Sequence, residues 1–296
     1  MIRHRQGNDF LLITQDHHAW LSGRFATHIG NEHFAPPSPR EETIRGASLH
    51  DCGWPLHDDQ PTLNPKGEPL HVLESPMAIA TRVWTESARR AYEQGGPYAG
   101  LLVSIHVFTL SASAKKDDGT PHERAQSREE LFLLNQFQQA QIEHQEDLRR
   151  QLGMRTDRPL KLGLLPKPGI DEQEDRLSCN YAWVKAMDAI SLDLCCSEEL
   201  FAKLDWVQPR AGAEAVTIRV EHPGEGELAL DPWPFHPDLE RIERKVPCRR
   251  VPARAYASEE EFREIYAAAP REQFTVRVRP TQSGTRPLVP SPGAPG

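Results

Sequence analysis

Residues 98–114, YAGLLVSIHVFTLSASA, run for seventeen positions without an Asp, Glu, Lys or Arg. A helix with no charged side has no face to turn toward water, so this segment must be enclosed by other elements. A chain of 296 residues is long enough to build that enclosure around a full-sized core. Apart from Tyr98, His106 is the only ionisable side chain of the run. A buried imidazole must find a partner or stay neutral, and neutral imidazole is the form that binds metal. A core histidine satisfied by a backbone carbonyl is the other reading of this residue.

Three further segments place polar residues where helical periodicity turns inward. In a helix over about His17 to Ile29, the stripe His18, Leu21, Ser22, Phe25, Ile29 advances by threes and fours, so His18 shares the apolar face while His17 sides with Arg24 and His28. In ASLHDCGW, His50 and Asp51 end a helix over about Glu41 to Asp51 and project about 100° apart, close enough to converge on one ion. An ordinary helix end is the alternative, although a carboxylate at the negative end of the helix dipole calls for a compensating positive charge. In a helix over Arg176 to Cys196, the stripe Leu177, Tyr181, Val184, Asp188, Leu192, Cys195 puts Asp188 in the middle of the core face. A carboxylate buried there needs a cation, a hydrogen-bond cluster or a metal. Asp193 falls beside Lys185 and Ala189 and is expected in solvent.

The remaining chain is read more coarsely. FLLITQ, residues 10 to 15, is an expected strand, and helices are expected over Met77 to Gln94, Tyr98 to Ser113 and Arg128 to Leu152. The proline-rich stretch 55 to 76 is expected to be a loop of the kind that often serves function. After about Trp206, AVTIRV, ELALD and QFTVRVRP read as strands, interrupted by a helix capped by Ser258 and Glu261. The expected architecture is mainly α, a helical domain over 1–205 with a smaller C-terminal β-rich subdomain over 206–282 and a disordered tail over 283–296.

Composition excludes several functions. Five cysteines without C-x-x-C spacing give neither a disulfide framework nor a zinc knuckle. A net charge of −8 with no long basic run argues against nucleic-acid scaffold binding. No apolar run reaches the roughly 18 residues of a membrane span, and no signal-peptide core stands at the N-terminus. A soluble cytoplasmic protein with a small-molecule substrate is the expectation, its oligomeric state open.

Together, His18, His50, Asp51, His106 and Asp188 project inward from four helices. Imidazole with carboxylate is the donor mixture for a divalent transition metal such as Fe, Mn, Zn or Co, as one or two ions, and the lack of a thiolate disfavours a closed structural zinc site. The order His18, His50-Asp51, Asp188 resembles the HD superfamily of helical metal-dependent phosphohydrolases, and residues of about 15 to 196 carry the resemblance. It implies an HD-like helical bundle and, through His106, the extra histidine of members that hold two metals. The chain as a whole is also similar to a family of uncharacterised proteins, on Gln15, His18 and Ala19, on His50, Asp51, Gly53 and Trp54, on Asp58 with Pro61, and on Pro232 to Phe235.

The favoured reading is metal-dependent hydrolysis of a phosphoester of a small molecule or nucleotide. His18, His50, Asp51 and Asp188 would hold the ion, Asp58 or His106 would position or deprotonate the water, and Gln15 and Trp54 would line the pocket. Arg24, Arg45 or Lys66 could meet a substrate phosphate, although each also suits a solvated surface. An HD-like di-iron oxygenase is the second reading, and a non-catalytic scaffold or binding protein the third.

Overall fold

The computed structural model describes residues 1–112, 127–157, 169 and 171–281. Ser113 and Ala114 at the end of the uncharged run, and the tail 283–296, lie outside them. The chain opens with β1 (Ile2–Gln6) and β2 (Asp9–Ile13), an antiparallel hairpin turning at Gly7. Five helices follow: α1 (Gln15–Ala26), α2 (Arg40–Leu49), the single turn α3 (Pro55–Asp58), α4 (Met77–Ala112) and α5 (Arg128–Gln151). Then come α6 (Glu172–Cys195), β3 (Lys203–Val207), β4 (Val216–Gly224), β5 (Glu227–Asp231), β6 (Ile242–Pro252), α7 (Glu259–Ala268) and β7 (Arg271–Pro280).

The strands make one seven-stranded sheet in the order β1-β2-β6-β7-β5-β4-β3, antiparallel except for the β5–β7 pair. The expected fold, a mainly α, HD-like bundle carrying a smaller C-terminal β subdomain, is therefore corrected. The architecture is α+β, and the N-terminal hairpin enters the sheet by pairing β2 with β6. Three strands, β1, β3 and β6, escaped the sequence reading, two of them for evident physical reasons. In β1 the inward positions are Ile2 and His4, so a histidine stands where an apolar residue would signal alternation. In β6 the buried Ile242, Val246, Cys248 and Val251 are separated by charged and proline residues that mask the pattern.

Apart from the single turn α3, which falls within the expected loop 55–76, the helices are close to where periodicity placed them, with one join. The two helices expected over 77–94 and 98–113 are the halves of α4, bent where Gly96 takes φ 82° and Pro97 withholds its backbone donor. The buried half supplies Leu101, Leu102, Val103 and His106 to the core. Helix α6 packs on α1, α2 and α4 and also on β3, β5 and β7, so it is covered on nearly every side and shows no single apolar face. Ser258 caps α7 as expected, accepting from Glu261 N, while the Glu261 carboxylate accepts from Ala257 N. Among the described residues no helix is long and apolar enough to cross a membrane.

Candidate metal centre

Helix α1 starts directly after β2, and its inward face carries Gln15, His18, Leu21, Ser22 and Phe25, all buried. Helix α2 stops at Leu49, so His50 is its C-cap residue and Asp51 falls in the turn beyond. That turn lies hard against α4. A side chain at Gly53 would run into the Val83 carbonyl and the Ser87 amide, and the Gly53 N–H instead donates to Ser87 Oγ at 2.9 Å. The close approach presents His50 and Asp51 to His106 on α4.

Tautomers follow from the partners. His50 Nδ1 donates to the Ala47 carbonyl at 2.8 Å, which leaves the Nε2 lone pair facing the cluster. His18 Nδ1 lies 2.8 Å from Ser191 Oγ, whose own hydroxyl donates to the Asp188 carbonyl at 3.0 Å. With its proton on that carbonyl, Ser191 accepts from His18 Nδ1–H, the tautomer that leaves His18 Nε2 as a lone-pair atom. With the Ser191 proton on the Asp188 carbonyl, Ser22 Oγ donates to Ser191 Oγ at 2.7 Å and completes the support.

Both Nε2 atoms point to one place, 3.1 Å apart. Asp188 Oδ1 stands 3.2 Å from His18 Nε2 and 3.3 Å from His50 Nε2, and Asp51 Oδ2 stands 3.5 and 3.7 Å from the same pair. The other Asp51 oxygen accepts the Trp54 indole N–H at 3.0 Å. His106 Nε2 is 3.6 Å from Asp188 Oδ2, and neither of its ring nitrogens has a hydrogen-bond partner among the described residues. His18, His50 and Asp51 form one group that could hold a metal ion, and His50, His106 and Asp188 form another.

Charge explains why these groups tolerate one another. Burial opposes an imidazolium at His50, but the charges of Asp51 and Asp188 outweigh it and push the group up to about 9. Burial opposes His18 in the same way, and hydrogen bonds to Asp188 and Asp51 raise it. Asp188 is held well below the usual carboxylate range against its own burial, chiefly by His50 and His18. For His106 burial wins and lowers it to about 4, so it is neutral at pH 7. The cluster thus holds positive charge between its nitrogens and carboxylates, a charge that a divalent ion could supply in place of protons. The donor set, the fixed tautomers and the unpartnered His106 all fit such an ion.

A cavity of about 60 Å³ opens beside the cluster. His18, Asp51, His106 and Asp188 form its polar side with Gln15, while Trp54, Trp84, Leu110 and Leu192 are among its apolar walls. Gln15 is buried, and its Nε2 has no partner among the described residues. Trp54 both lines the cavity and packs with Met77, Val83 and Trp84 in the core.

Several expected roles meet different surroundings. Asp58 does not line the cavity; its buried carboxylate accepts from the Met1 ammonium at 2.8 Å, from Gln15 N at 2.8 Å and from His57 Nδ1 at 3.2 Å. Its oxygens are occupied in joining the N-terminal strand to α1, so it is not free to handle a reacting water. Arg24, Arg45 and Lys66 are exposed or half-exposed away from the cavity lining, and Arg45 pairs with Glu41 at 3.8 Å. Asp193, expected in solvent, is buried and accepts from Leu200 N, Phe201 N and His222 Nε2. Helix α6 is covered on that side by the sheet, which its own periodicity could not reveal. Ser191 was missed, though it stands three residues after Asp188 and so on the same side of the helix.

The family model described as "Protein of unknown function (DUF3891)" matches residues 1–253. No curated protein and no solved structure matches the chain.

Proposed function

We propose, for a chain that belongs to the DUF3891 family of proteins of unknown function, that the His18, His50, Asp51 and Asp188 cluster is the metal centre of a hydrolase acting on a small molecule. The observation that carries this reading is the pair of lone-pair nitrogens at 3.1 Å, each fixed by a backbone or serine partner and flanked by two carboxylates. A divalent ion bound there supplies Lewis-acid polarisation and makes water a nucleophile near neutral pH.

The protein's own groups divide the remaining work. His106, neutral and without a hydrogen-bond partner among the described residues, would accept the proton released as water attacks. The Gln15 amide, whose Nε2 has no partner among the described residues, would donate to an acceptor atom of the substrate. Trp54 fixes the Asp51 carboxylate through its indole N–H, and the apolar wall excludes bulk water from the reacting atoms. Among the described residues no Lys or Arg lines the cavity, so the charge of a phosphoester would be met by the ion itself. Unsatisfied polar atoms at His106 and Gln15 favour catalysis over a purely structural cluster, which would pair them.

The test is elemental analysis of the untagged protein as purified, followed by reconstitution with Fe, Mn, Zn or Co and a screen of small phosphomonoesters, phosphodiesters and carboxylic esters. The reading expects a bound transition metal and turnover that chelation abolishes. Protein that neither carries nor takes up metal ends it.

A further inference from the structure

At the other end of α1, ten residues beyond His18 and so about 15 Å away at 1.5 Å per residue, a second cluster gathers charge of one sign. Arg40 Nη2 donates to the Thr27 carbonyl at 2.6 Å, and Arg244 on β6 donates from Nη2 to His28 Nε2 at 2.7 Å and from Nη1 to the Glu243 carbonyl at 2.7 Å. Arg24 stands one helical turn before His28. The Pro232–Phe235 segment, a motif the metal centre does not use, forms the base: Gly30 N donates to the Pro234 carbonyl, Ile29 bridges to Phe235, and His236 N donates to the His28 carbonyl.

Among the described residues, none of these three arginines has a carboxylate partner, and Arg244 Nε is buried with no acceptor. Three nearby acids pair with other groups: Glu41 with Arg45, Glu243 with Arg277, and Asp238 with His236. The electrostatics agree with the geometry. Burial and the charges of Arg244, Arg24 and Arg40 hold His28 below its ordinary value, and burial with Arg24 lowers Arg244. The C-terminal end of α1 offsets only about half an elementary charge, against three full cations. In a chain of net charge −8 this concentration is not a by-product of general basicity.

We propose that Arg24, His28, Arg40 and Arg244 form an oxyanion site that takes a phosphate group, free or carried by a small metabolite. Guanidinium forks match tetrahedral oxyanions, and His28, accepting from Arg244 at Nε2, is left with Nδ1–H as a further donor. The site is separate from the metal centre and does not depend on the reading given to that centre.

Calorimetric titration of the full-length protein with inorganic phosphate and, separately, with glycerol 3-phosphate tests this, with sodium chloride at matched ionic strength as the reference. Saturable one-to-one binding is expected for at least one of the two, and the tighter one identifies the source of the phosphate. Arg24→Gln should weaken it at least fivefold and Arg244→Gln at least tenfold, while His50→Ala leaves it unchanged. Arg24 is exposed, so its variant carries the test even if Arg244→Gln fails to fold. No saturable heat with either compound, binding that survives both arginine changes, or binding lost only in His50→Ala overturns the proposal.

Discussion

His18 and His50 meet edge to face, their ring planes at 90° and their Nε2 atoms 3.1 Å apart, although 32 residues of chain separate them. Each ring is held from behind, His50 by the Ala47 carbonyl and His18 by Ser191. Neither ring can rotate its lone pair away without giving up that partner, so the repulsion between the two nitrogens is built in and is relieved only by a positive charge between them and the carboxylates. His50→Ala should therefore lower metal content at least tenfold, measured by elemental analysis after dialysis against buffer without chelator. Retention of a full equivalent would move the ion elsewhere.

Metal affinity should strengthen as pH rises from 6 toward 9, because the ion must displace the proton that His50 otherwise holds up to about 9. The metal-free protein should behave oppositely. A histidine whose folded value is raised contributes stability that is complete below its unfolded value near 6.5 and is lost as pH climbs through the folded one. Thermal melts of chelated protein should fall between pH 7 and 9.5, and those of metal-loaded protein should be flatter over the same range.

Trp54→Phe removes the indole N–H that fixes Asp51 and keeps most of the ring's packing. Partners that orient metal ligands are typically worth 10–100-fold in affinity, so metal binding should weaken by about that factor while the melting temperature changes little. A variant that binds metal as tightly as the parent would reduce Trp54 to a packing residue.

Asp188→Asn and Asp193→Asn separate a proposed ligand from a strut five residues along the same helix. The first should cost metal content. The second should keep it but destabilise the fold by roughly 1–3 kcal/mol, since a buried carboxylate accepting from two amides and His222 is replaced by a group that satisfies them poorly. Equal metal loss in both would mean that the effect runs through α6 as a whole.

Asp58→Asn should act on stability and not on metal content, because this carboxylate is bonded to the Met1 ammonium and Gln15 N. Burial opposes its charge, but the ammonium, His57 and Gln15 N hold it below its ordinary value. Its contribution is therefore present above the unfolded carboxylate value and lost as pH falls through the lower folded one. Denaturant melts at pH 7 and pH 3 should show a larger difference between parent and variant at pH 7.

Much of the cluster is legible in the sequence. His18 and Asp188 stand on apolar stripes, and His106 interrupts a run with no other charge-bearing group, so burial alone singled them out. What lay beyond reach was anything that depends on a partner distant in sequence. Asp58 follows the His-Asp pair by only seven residues, yet its occupation by Met1 is a consequence of the N-terminal hairpin joining the sheet. Asp193 was assigned to solvent because helical phase says which residues share a side, not what covers that side.

By itself the sequence determined which helices form, which of their faces turn inward, and that imidazole and carboxylate groups ride on those faces, because helical periodicity and the cost of burying charge are local properties. Only the tertiary structure decided that the seven strands form one sheet drawing on both ends of the chain, that Trp54 binds Asp51, and that Arg24, Arg40 and Arg244 gather beside His28. Strand pairing and charge neighbourhoods depend on contacts between residues distant in the chain, such as Asp9 with Pro252 and His28 with Arg244, and no period along the chain encodes them.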